Sequence, residues 1–193
     1  MILITGAKGY IGRNLHIPNS ICIDKEVEIT RLNQLQRGQI EGIIHLAAIS
    51  RVKMCEINPV QAVNTNVTGV TSMLELARRK KAWVIFVSSI EAINSIYGLT
   101  KKFGEELCKY YAHKYGIRVV VVRLGDVVGK DNHPTKAIPT LRVRIKDGKP
   151  IVLMKPKQKF HLLHIDTVTM TLQNIVNKMK EAYESKSKIT IEE

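Results

Sequence analysis

The stretch ILITGAKGYIG, residues 2–12, decides the fold. Its first four residues are apolar or β-branched and lead directly into a glycine, which predicts a short strand buried on both faces. Gly6, Gly9 and Gly12 follow at intervals of three residues. Glycine lets a loop turn sharply, lets a phosphate approach the backbone and lets a helix pack closely on a strand. The spacing therefore predicts a strand, a phosphate-binding loop and a helix, in that order.

The remainder of the chain alternates strands with helices. A short first helix is predicted to stop before Pro18, and another helical stretch to end before Gly38. Strands are predicted at four apolar runs, residues 20–24, 42–48, 82–89 and 117–125. Apolar residues at helical spacing predict two longer helices: Val60, Val63, Val67, Val70, Met73 or Leu74, and Ala77 in the first, and Leu99, Phe103, Leu107 and Tyr110 as the buried stripe of the second. This alternation predicts an α/β fold with a doubly wound parallel sheet, Rossmann-like in its order of elements.

The pattern loosens after Gly129. A helix at 138–146, a turn at 147–150, a strand at 151–154 and a terminal helix at 167–183 are predicted there. We expect a dinucleotide-binding domain over residues 1–129 and a small C-terminal annex over residues 130–193, packed on the same domain.

Composition narrows the classes of function. Thirty Lys and Arg against seventeen Asp and Glu give a net charge of +13, which attracts anionic partners. The basic clusters lack interleaved aromatic residues, so nucleic acid is not the expected partner, and a solvated lysine surface accounts for them. No apolar run is long enough for a membrane span, and glycine is reached at position 6 without a basic leader, so a cytoplasmic location is expected. Three cysteines without close spacing predict neither a disulfide framework nor a metal site.

Asp24 ends the second predicted strand, twelve residues after Gly12. A carboxylate at this position can accept hydrogen bonds from both adenosine-ribose hydroxyls and repels a 2′-phosphate. This favours NAD as the cofactor. Lys8 and Lys25 have the opposite effect on a phosphate, so NADP stays open.

Candidate chemistry lies in the stretch SSIEAINSIYGLTK, residues 88–101. Lys101 follows Tyr97 by four residues, one helical turn along the same face. Bringing a tyrosine pKa from near 10 to 7 takes about 4 kcal/mol, much of which a nearby ammonium can supply. Tyr97 can then act as a general base or acid, while Ser89 at a strand tip hydrogen-bonds the reacting oxygen. Alternatively, Tyr97 and Lys101 form an ordinary exposed helix pair.

Further motifs follow in a fixed order: HLAA (45–48), NTNVTGV (64–70), VSS (87–89), YGLTK (97–101), RLGDVVG (123–129) and HID (164–166). With these, the chain resembles the extended short-chain dehydrogenase/reductase family, in particular its NAD-dependent nucleotide-sugar epimerase and dehydratase branch, as a C-terminally shortened member. The resemblance implies that Ser89, Tyr97 and Lys101 are catalytic and that Ser89 and Asp126 contact the substrate. Taking both lines of inference together, the expected cofactor-binding residues are Gly6, Gly9, Tyr10, Ile11, Gly12, Asp24, Lys25, Ala47, Ala48, Asn66, Tyr97 and Lys101.

The chain departs from the family pattern in three places. Only seven residues separate Ser89 from Tyr97, Asp126 stands where the family usually has an asparagine, and Phe160 stands where it usually has an arginine. The substrate pocket should therefore be more open, and nucleotide-sugar binding is put in question.

Three readings of function remain. The leading one is an NAD-dependent oxidoreductase or epimerase that acts on a sugar or nucleotide-sugar hydroxyl through the Ser-Tyr-Lys trio. Its rival is a non-catalytic NAD(P)-binding sensor or assembly protein that has lost most of the substrate domain, and a third is a nucleic-acid-binding protein. The family commonly dimerises through the helix at 60–81 and the helix carrying Tyr97, so a homodimer is expected.

Overall fold

The computed structural model describes residues 1–24, 28–35, 38–90, 94–130, 137–150 and 161–184. Five parallel strands form the main sheet in the order β2-β1-β3-β4-β5. Their bounds are Ile2–Thr5 (β1), Ser20–Ile23 (β2), Gly42–His45 (β3), Trp83–Ser89 (β4) and Val119–Leu124 (β5). The predicted α/β fold with a doubly wound parallel sheet is confirmed.

Helices connect the strands as parallel crossovers require. They are α1 (Tyr10–Asn14), a 3₁₀ helix (Ile29–Gln34), α2 (Val52–Ile57), α3 (Pro59–Val63), a π-helical turn (Asn64–Thr68), α4 (Gly69–Lys80), α5 (Ile96–Tyr115), α6 (Ala137–Lys146) and α7 (Ile165–Glu184). The predicted long helix is therefore α3, the π-helical turn and α4, which follow one another without a gap.

The helices cover both faces of the sheet. On one face, the 3₁₀ helix, α4 and α5 pack in a cluster with Leu3, Ile43 and Phe86. On the other face, residues of α1 and α7 pack with Ile4 and Trp83. Because α7 shares a core with β1 and β4, residues 165–183 are packed on the main sheet itself. The boundary predicted near residue 129 remains a prediction.

The predicted buried stripes are wrong in part. Val70, Met73, Leu74 and Ala77 of α4 are buried, but Val60 and Val63 of α3 are 79% and 44% exposed. On α5, Leu99, Phe103 and Tyr110 are about half exposed. The buried face of that helix consists of small and polar residues together with Tyr111: Gly98, Thr100, Lys101, Gly104, Glu105, Cys108 and Tyr111.

Gly104 explains how α5 lies on the sheet. A Cβ at this position would come within 2.8 Å of the Phe86 ring on β4. The helix axis is therefore too close to the sheet for a large side chain at 104, and the long apolar residues point away from it.

A second, two-stranded sheet was not predicted from the sequence. Its parallel strands are β6 (Asp126–Val128) and β7 (Leu162–His164). Gly125 allows this pairing because a Cβ there would lie 2.1 Å from the carbonyl oxygen of His161. The strand predicted at 151–154 lies outside the described residues.

All three cysteines are free thiols in described positions. Cys22 of β2 is exposed, whereas Cys55 and Cys108 are buried. Among the described helices, none combines the length and apolar character that crossing a bilayer requires.

Candidate active site

The loops after β1 and β3 meet at the point where the strand order reverses. The chain leaves β1 toward β2 on one side and leaves β2 toward β3 on the other, and ligands of open parallel sheets bind in the crevice at such a position. Gly6 has a φ of +69°, and a Cβ on it would lie 2.7 Å from the backbone nitrogen of Ala47. Glycine is required there because both the backbone angle and the contact exclude a side chain.

Gly12 closes the same loop against α1. A Cβ at Gly12 would lie 2.5 Å from the carbonyl oxygen of Gly6 and 2.6 Å from two backbone atoms of Ala7. The loop therefore forms a narrow backbone cradle that any larger residue at 6 or 12 would open. Such a cradle at the start of a helix fits a pyrophosphate.

Asp24 lies immediately after β2, and one of its carboxylate oxygens accepts a hydrogen bond of 2.8 Å from the backbone N–H of Lys8. The carboxylate is thus tied to the glycine loop. Tyr10 begins α1, with its hydroxyl donating to the carbonyl oxygen of Lys130 and the Arg13 guanidinium over its ring. Ile11 packs partly buried in the same region of the core, and Lys25 lies outside the described residues.

Asn66 is buried in the π-helical turn and fixes the loop after β3. Its amide oxygen accepts a hydrogen bond of 2.8 Å from the N–H of Ile49, and its amide nitrogen donates to the carbonyl oxygen of the same residue at 3.1 Å. The second amide hydrogen goes to the Thr100 hydroxyl at 3.1 Å, which in turn donates to the carbonyl oxygen of Tyr97. This chain of bonds joins the loop containing Ala47 and Ala48 to the first turn of α5.

His45 ends β3 as a buried, neutral residue. Its Nδ1 lies 3.0 Å from the hydroxyl of Thr5 on the neighbouring strand, and its ring stacks on Phe86. Burial, with a smaller contribution from the charge of Lys101, lowers the pKa of His45 to about 3. The imidazole therefore carries no charge at neutral pH.

The predicted trio lies at the carboxyl end of β4 and the start of α5. Ser89 is the last residue of β4, and Tyr97 is the second residue of α5. The helix start is fixed by the Ser95 hydroxyl, which accepts a hydrogen bond from the N–H of Gly98, and by the Glu56 carboxylate, which accepts one from the N–H of Ile96. Both bonds satisfy N–H groups that a helix leaves unpaired at its first turn.

Lys101 is 5% exposed. Its ammonium donates a 2.8 Å hydrogen bond to the carbonyl oxygen of Val87 and lies 5.0 Å from the centre of the Phe86 ring. Burial lowers the pKa of Lys101 to about 8, against the opposing influence of Cys108 and Glu105. The side chain is therefore held under the strand that ends in Ser89, rather than in solvent as the alternative of an exposed helix pair requires.

Asp126 opens β6 just after β5. Its backbone N–H donates to the carbonyl oxygen of His161, and two residues earlier Leu124 is paired with Ser89 in the sheet register. Asp126 and Ser89 therefore lie at the same end of neighbouring parts of the structure.

A parallel α/β sheet with a glycine cradle at its switch point and an acid after the second strand defines a dinucleotide-binding fold. A family model described as the NAD dependent epimerase/dehydratase family matches residues 20–184, and the chain belongs to this family. Membership confirms the resemblance inferred from the motifs, and the family's description agrees with NAD as the predicted cofactor.

Two curated relatives match most of this chain. The chain is 27% identical over 186 residues to UDP-2-acetamido-2,6-beta-L-arabino-hexul-4-ose reductase of Pseudomonas aeruginosa, covering 91% of this chain and 49% of the reductase. It is 32% identical over 148 residues to UDP-glucose 4-epimerase of Rickettsia akari, covering 73% of this chain and 42% of the epimerase. The chain thus spans about half the length, or less, of these curated relatives.

Solved structures share the fold. UDP-glucose 4-epimerase of Thermotoga maritima, solved with UDP-glucose, superposes with a TM-score of 0.75 at 20% identity and covers 88% of this chain and 71% of that one.

Sequence reasoning missed several residues that hold the site together. Thr5, Thr100 and Glu105 are buried polar residues next to predicted site residues. Thr100 and Glu105 fall three and eight residues after Tyr97, so helical spacing could have placed them on its face.

Proposed function

We propose that this chain binds NAD in the crevice between β1 and β3 and is an NAD-dependent epimerase or oxidoreductase acting on a sugar or nucleotide-sugar hydroxyl. The cradle formed by Gly6, Gly12 and Ala47 supports this proposal more than any other observation. A Cβ at position 6 or 12 would clash with backbone atoms of the cradle and force it open. Asp24 beside the loop supports NAD over NADP, because a carboxylate repels a 2′-phosphate.

Bound NAD supplies a hydride acceptor that can also return the hydride, which is what an epimerase needs. The chain's own residues handle the proton and the oxygen. Tyr97 takes the proton from the substrate hydroxyl, and the positive charge of Lys101 favours the phenolate that does so. Ser89 donates a hydrogen bond to the same oxygen, and Asp126 contacts the substrate beside it.

The substrate class rests on the relatives. Both curated relatives act on sugars carried by UDP, and one of them matches 91% of this chain. The relatives define the reaction type less closely than the substrate class, because one is named a reductase and the other an epimerase.

The test uses purified protein, NAD and a panel of nucleotide sugars. Wild type should bind NAD in a calorimetric titration and convert at least one sugar, and Tyr97→Phe should still bind NAD but lose turnover by at least about 100-fold. Tyr115→Phe is the matched control, because Tyr115 is on the same helix, 45% exposed and not among the residues of the proposed dimer surface. Equal turnover in both variants would reject Tyr97 as the acid or base.

A second candidate is an NAD-binding protein without turnover. The span of only seven residues between Ser89 and Tyr97 favours it, because so short a connection offers few side chains to enclose a substrate. NAD binding combined with no conversion and no binding of any nucleotide sugar to the NAD complex would select this candidate.

We also propose that the chain forms a homodimer through α3 and α5. Val60, Val63, Leu99, Phe103 and Tyr110 are large hydrophobic or aromatic residues that are 44–79% exposed on these helices. Apolar stripes of this kind are typical of surfaces that another chain covers. Phe103→Glu should convert a dimer to a monomer in light scattering, whereas Lys102→Glu, on an exposed neighbour, should not. A wild-type monomer would reject the proposal.

A further inference from the structure

Glu105 is a buried carboxylate on the helix face that carries Tyr97 and Lys101. It lies one turn beyond Lys101 and is 4% exposed. The Arg123 guanidinium of β5 grips both of its oxygens, with Nε at 3.0 Å from Oε1 and 3.1 Å from Oε2, and Nη2 at 2.6 Å from Oε2. A carboxylate held in this way by a fork of donors has a fixed position.

Burial alone would raise the pKa of Glu105, but its hydrogen bonds, first of all that from Arg123, lower it below the usual value. The carboxylate is therefore ionised throughout the neutral range. The Arg123 side chain itself is 59% exposed, so solvent stabilises the outer half of the ion pair while the negative charge is carried into the interior.

The charged and titratable groups that face Lys101 come from three elements. Cys108 and Glu105 lie on its own helix, and His45 lies on β3. Arg123 of β5 is hydrogen-bonded to Glu105. His45 is neutral because its pKa is about 3, and Cys108 is neutral because burial raises its thiol pKa to about 12. Cys108 and Glu105 both raise the pKa of Lys101, and of these two Glu105 is the one that is ionised at neutral pH.

We propose that Glu105, clamped by Arg123 one helical turn beyond Lys101, is a positioning residue that acts on Tyr97 through Lys101, by favouring the charged form of the Lys101 ammonium. This inference rests on the proposed roles of Tyr97 and Lys101. An opposite charge nearby stabilises the charged form of a buried group. Arg123 makes the arrangement rigid, since an unclamped carboxylate in the same place would protonate or turn toward solvent.

A purely structural role has a different consequence. If the ion pair only tied α5 to β5, removing the charge would change stability and leave the titration of Lys101 as it is. The pKa of Lys101 therefore separates the two roles, and it can be measured without cofactor or substrate.

The measurement is a pH titration of the protein labelled with ¹³C-lysine and followed by NMR, with Lys101 assigned by the signal missing in Lys101→Arg. Glu105→Gln should lower the pKa of Lys101 by about one unit or more. Glu105→Asp, which keeps the charge, should retain most of the wild-type value. Glu106→Gln is the matched control, because it removes the same charge from the adjacent, exposed position of the helix. The same Lys101 pKa in Glu105→Gln and Glu106→Gln would overturn the proposal.

A second variant can be used if Glu105→Gln does not fold. Glu105→Met combined with Arg123→Met replaces the pair by apolar side chains, which buried ion pairs often tolerate. A lowered pKa of Lys101 is expected there too, by less than in Glu105→Gln because the positive charge of Arg123 is removed as well, and an unchanged pKa would again count against the link.

The proposed function and the link between Glu105 and Lys101 can fail independently. A lowered Lys101 pKa in Glu105→Gln supports the link even if no Tyr97-dependent turnover is found. Tyr97-dependent turnover with an unchanged Lys101 pKa rejects the link and leaves the enzyme proposal standing.

Discussion

Gly12→Ala should weaken NAD binding by about 100-fold or more while the protein still folds. The new Cβ would lie 2.5 Å from the carbonyl oxygen of Gly6 and 2.6 Å from Cα and the oxygen of Ala7. Ordinary contact begins at 3.4 Å, so α1 and the loop must separate by about 0.9 Å. None of the three atoms belongs to a side chain that could rotate away.

Gly12→Ala should cost less in unfolding free energy than in the free energy of NAD binding. Overpacking costs about 1–3 kcal/mol of unfolding free energy, and alanine in a helix recovers about 1 kcal/mol. A hydrogen bond from a loop N–H to a phosphate oxygen has an N···O distance of about 2.9 Å, and a shift of about 0.9 Å would lengthen it to about 3.8 Å, beyond hydrogen-bonding range. Each charge-assisted bond contributes about 1.5–3 kcal/mol, so losing two weakens binding by at least about 3 kcal/mol, or about 100-fold.

Isothermal titration calorimetry with NAD provides the assay, and thermal unfolding checks the fold. Gly69→Ala on α4 is the control, because its Cβ would meet side-chain atoms of Ile29 at 3.1 Å and no backbone atom of the glycine loop. This control should bind NAD as wild type does. A folded Gly12→Ala protein that binds NAD within about threefold of wild type would refute the assignment of the loop as the pyrophosphate cradle.

Two further predictions concern stability. The pKa of His45 falls from 6.5 to about 3 on folding, so the unfolded chain binds more protons than the folded chain between these pH values. The contribution of His45 to the free energy of unfolding is therefore complete above pH 6.5, and the free energy of unfolding falls by about 4–5 kcal/mol toward pH 3. In urea unfolding across this range, His45→Leu should show a flatter pH dependence than the exposed control His113→Leu; equal slopes would contradict the prediction. Asn66→Asp should cost about 3 kcal/mol, because an ionised carboxylate cannot donate to Ile49 and Thr100. Amide exchange at residues 47–50 should accelerate with it and not with the exposed control Asn64→Asp.

The alternation of strands with helices and the glycine loop could be predicted because both depend on local chemistry. Short apolar, β-branched runs form the central strands, and three glycines at equal spacing form the cradle beside β1. The three-residue strands β6 and β7 could not be predicted, because so few residues carry no periodicity and their pairing joins positions 126 and 162. The helix Val52–Ile57 lacks a regular apolar stripe and was missed for a similar reason.

The buried face of α5 was assigned incorrectly for a physical reason. Apolar spacing identifies a stripe but not the surface that covers it, and Leu99 and Phe103 are exposed in the single chain. Lys101 and Glu105 were not expected inside because burying a charge is costly unless it is paired. Their partners are a strand carbonyl and Arg123, which a parallel register brings together and no local pattern shows.

Cys22 gives the protein a practical handle. Of its three thiols, this is the one that solvent reaches, and it lies two residues before Asp24. A maleimide dye should therefore label a single position on β2, two residues before Asp24, without mutagenesis, and a change in its fluorescence would report dinucleotide binding. Stocks kept without a reducing agent are, by the same logic, exposed to covalent pairing of molecules through this one sulfur.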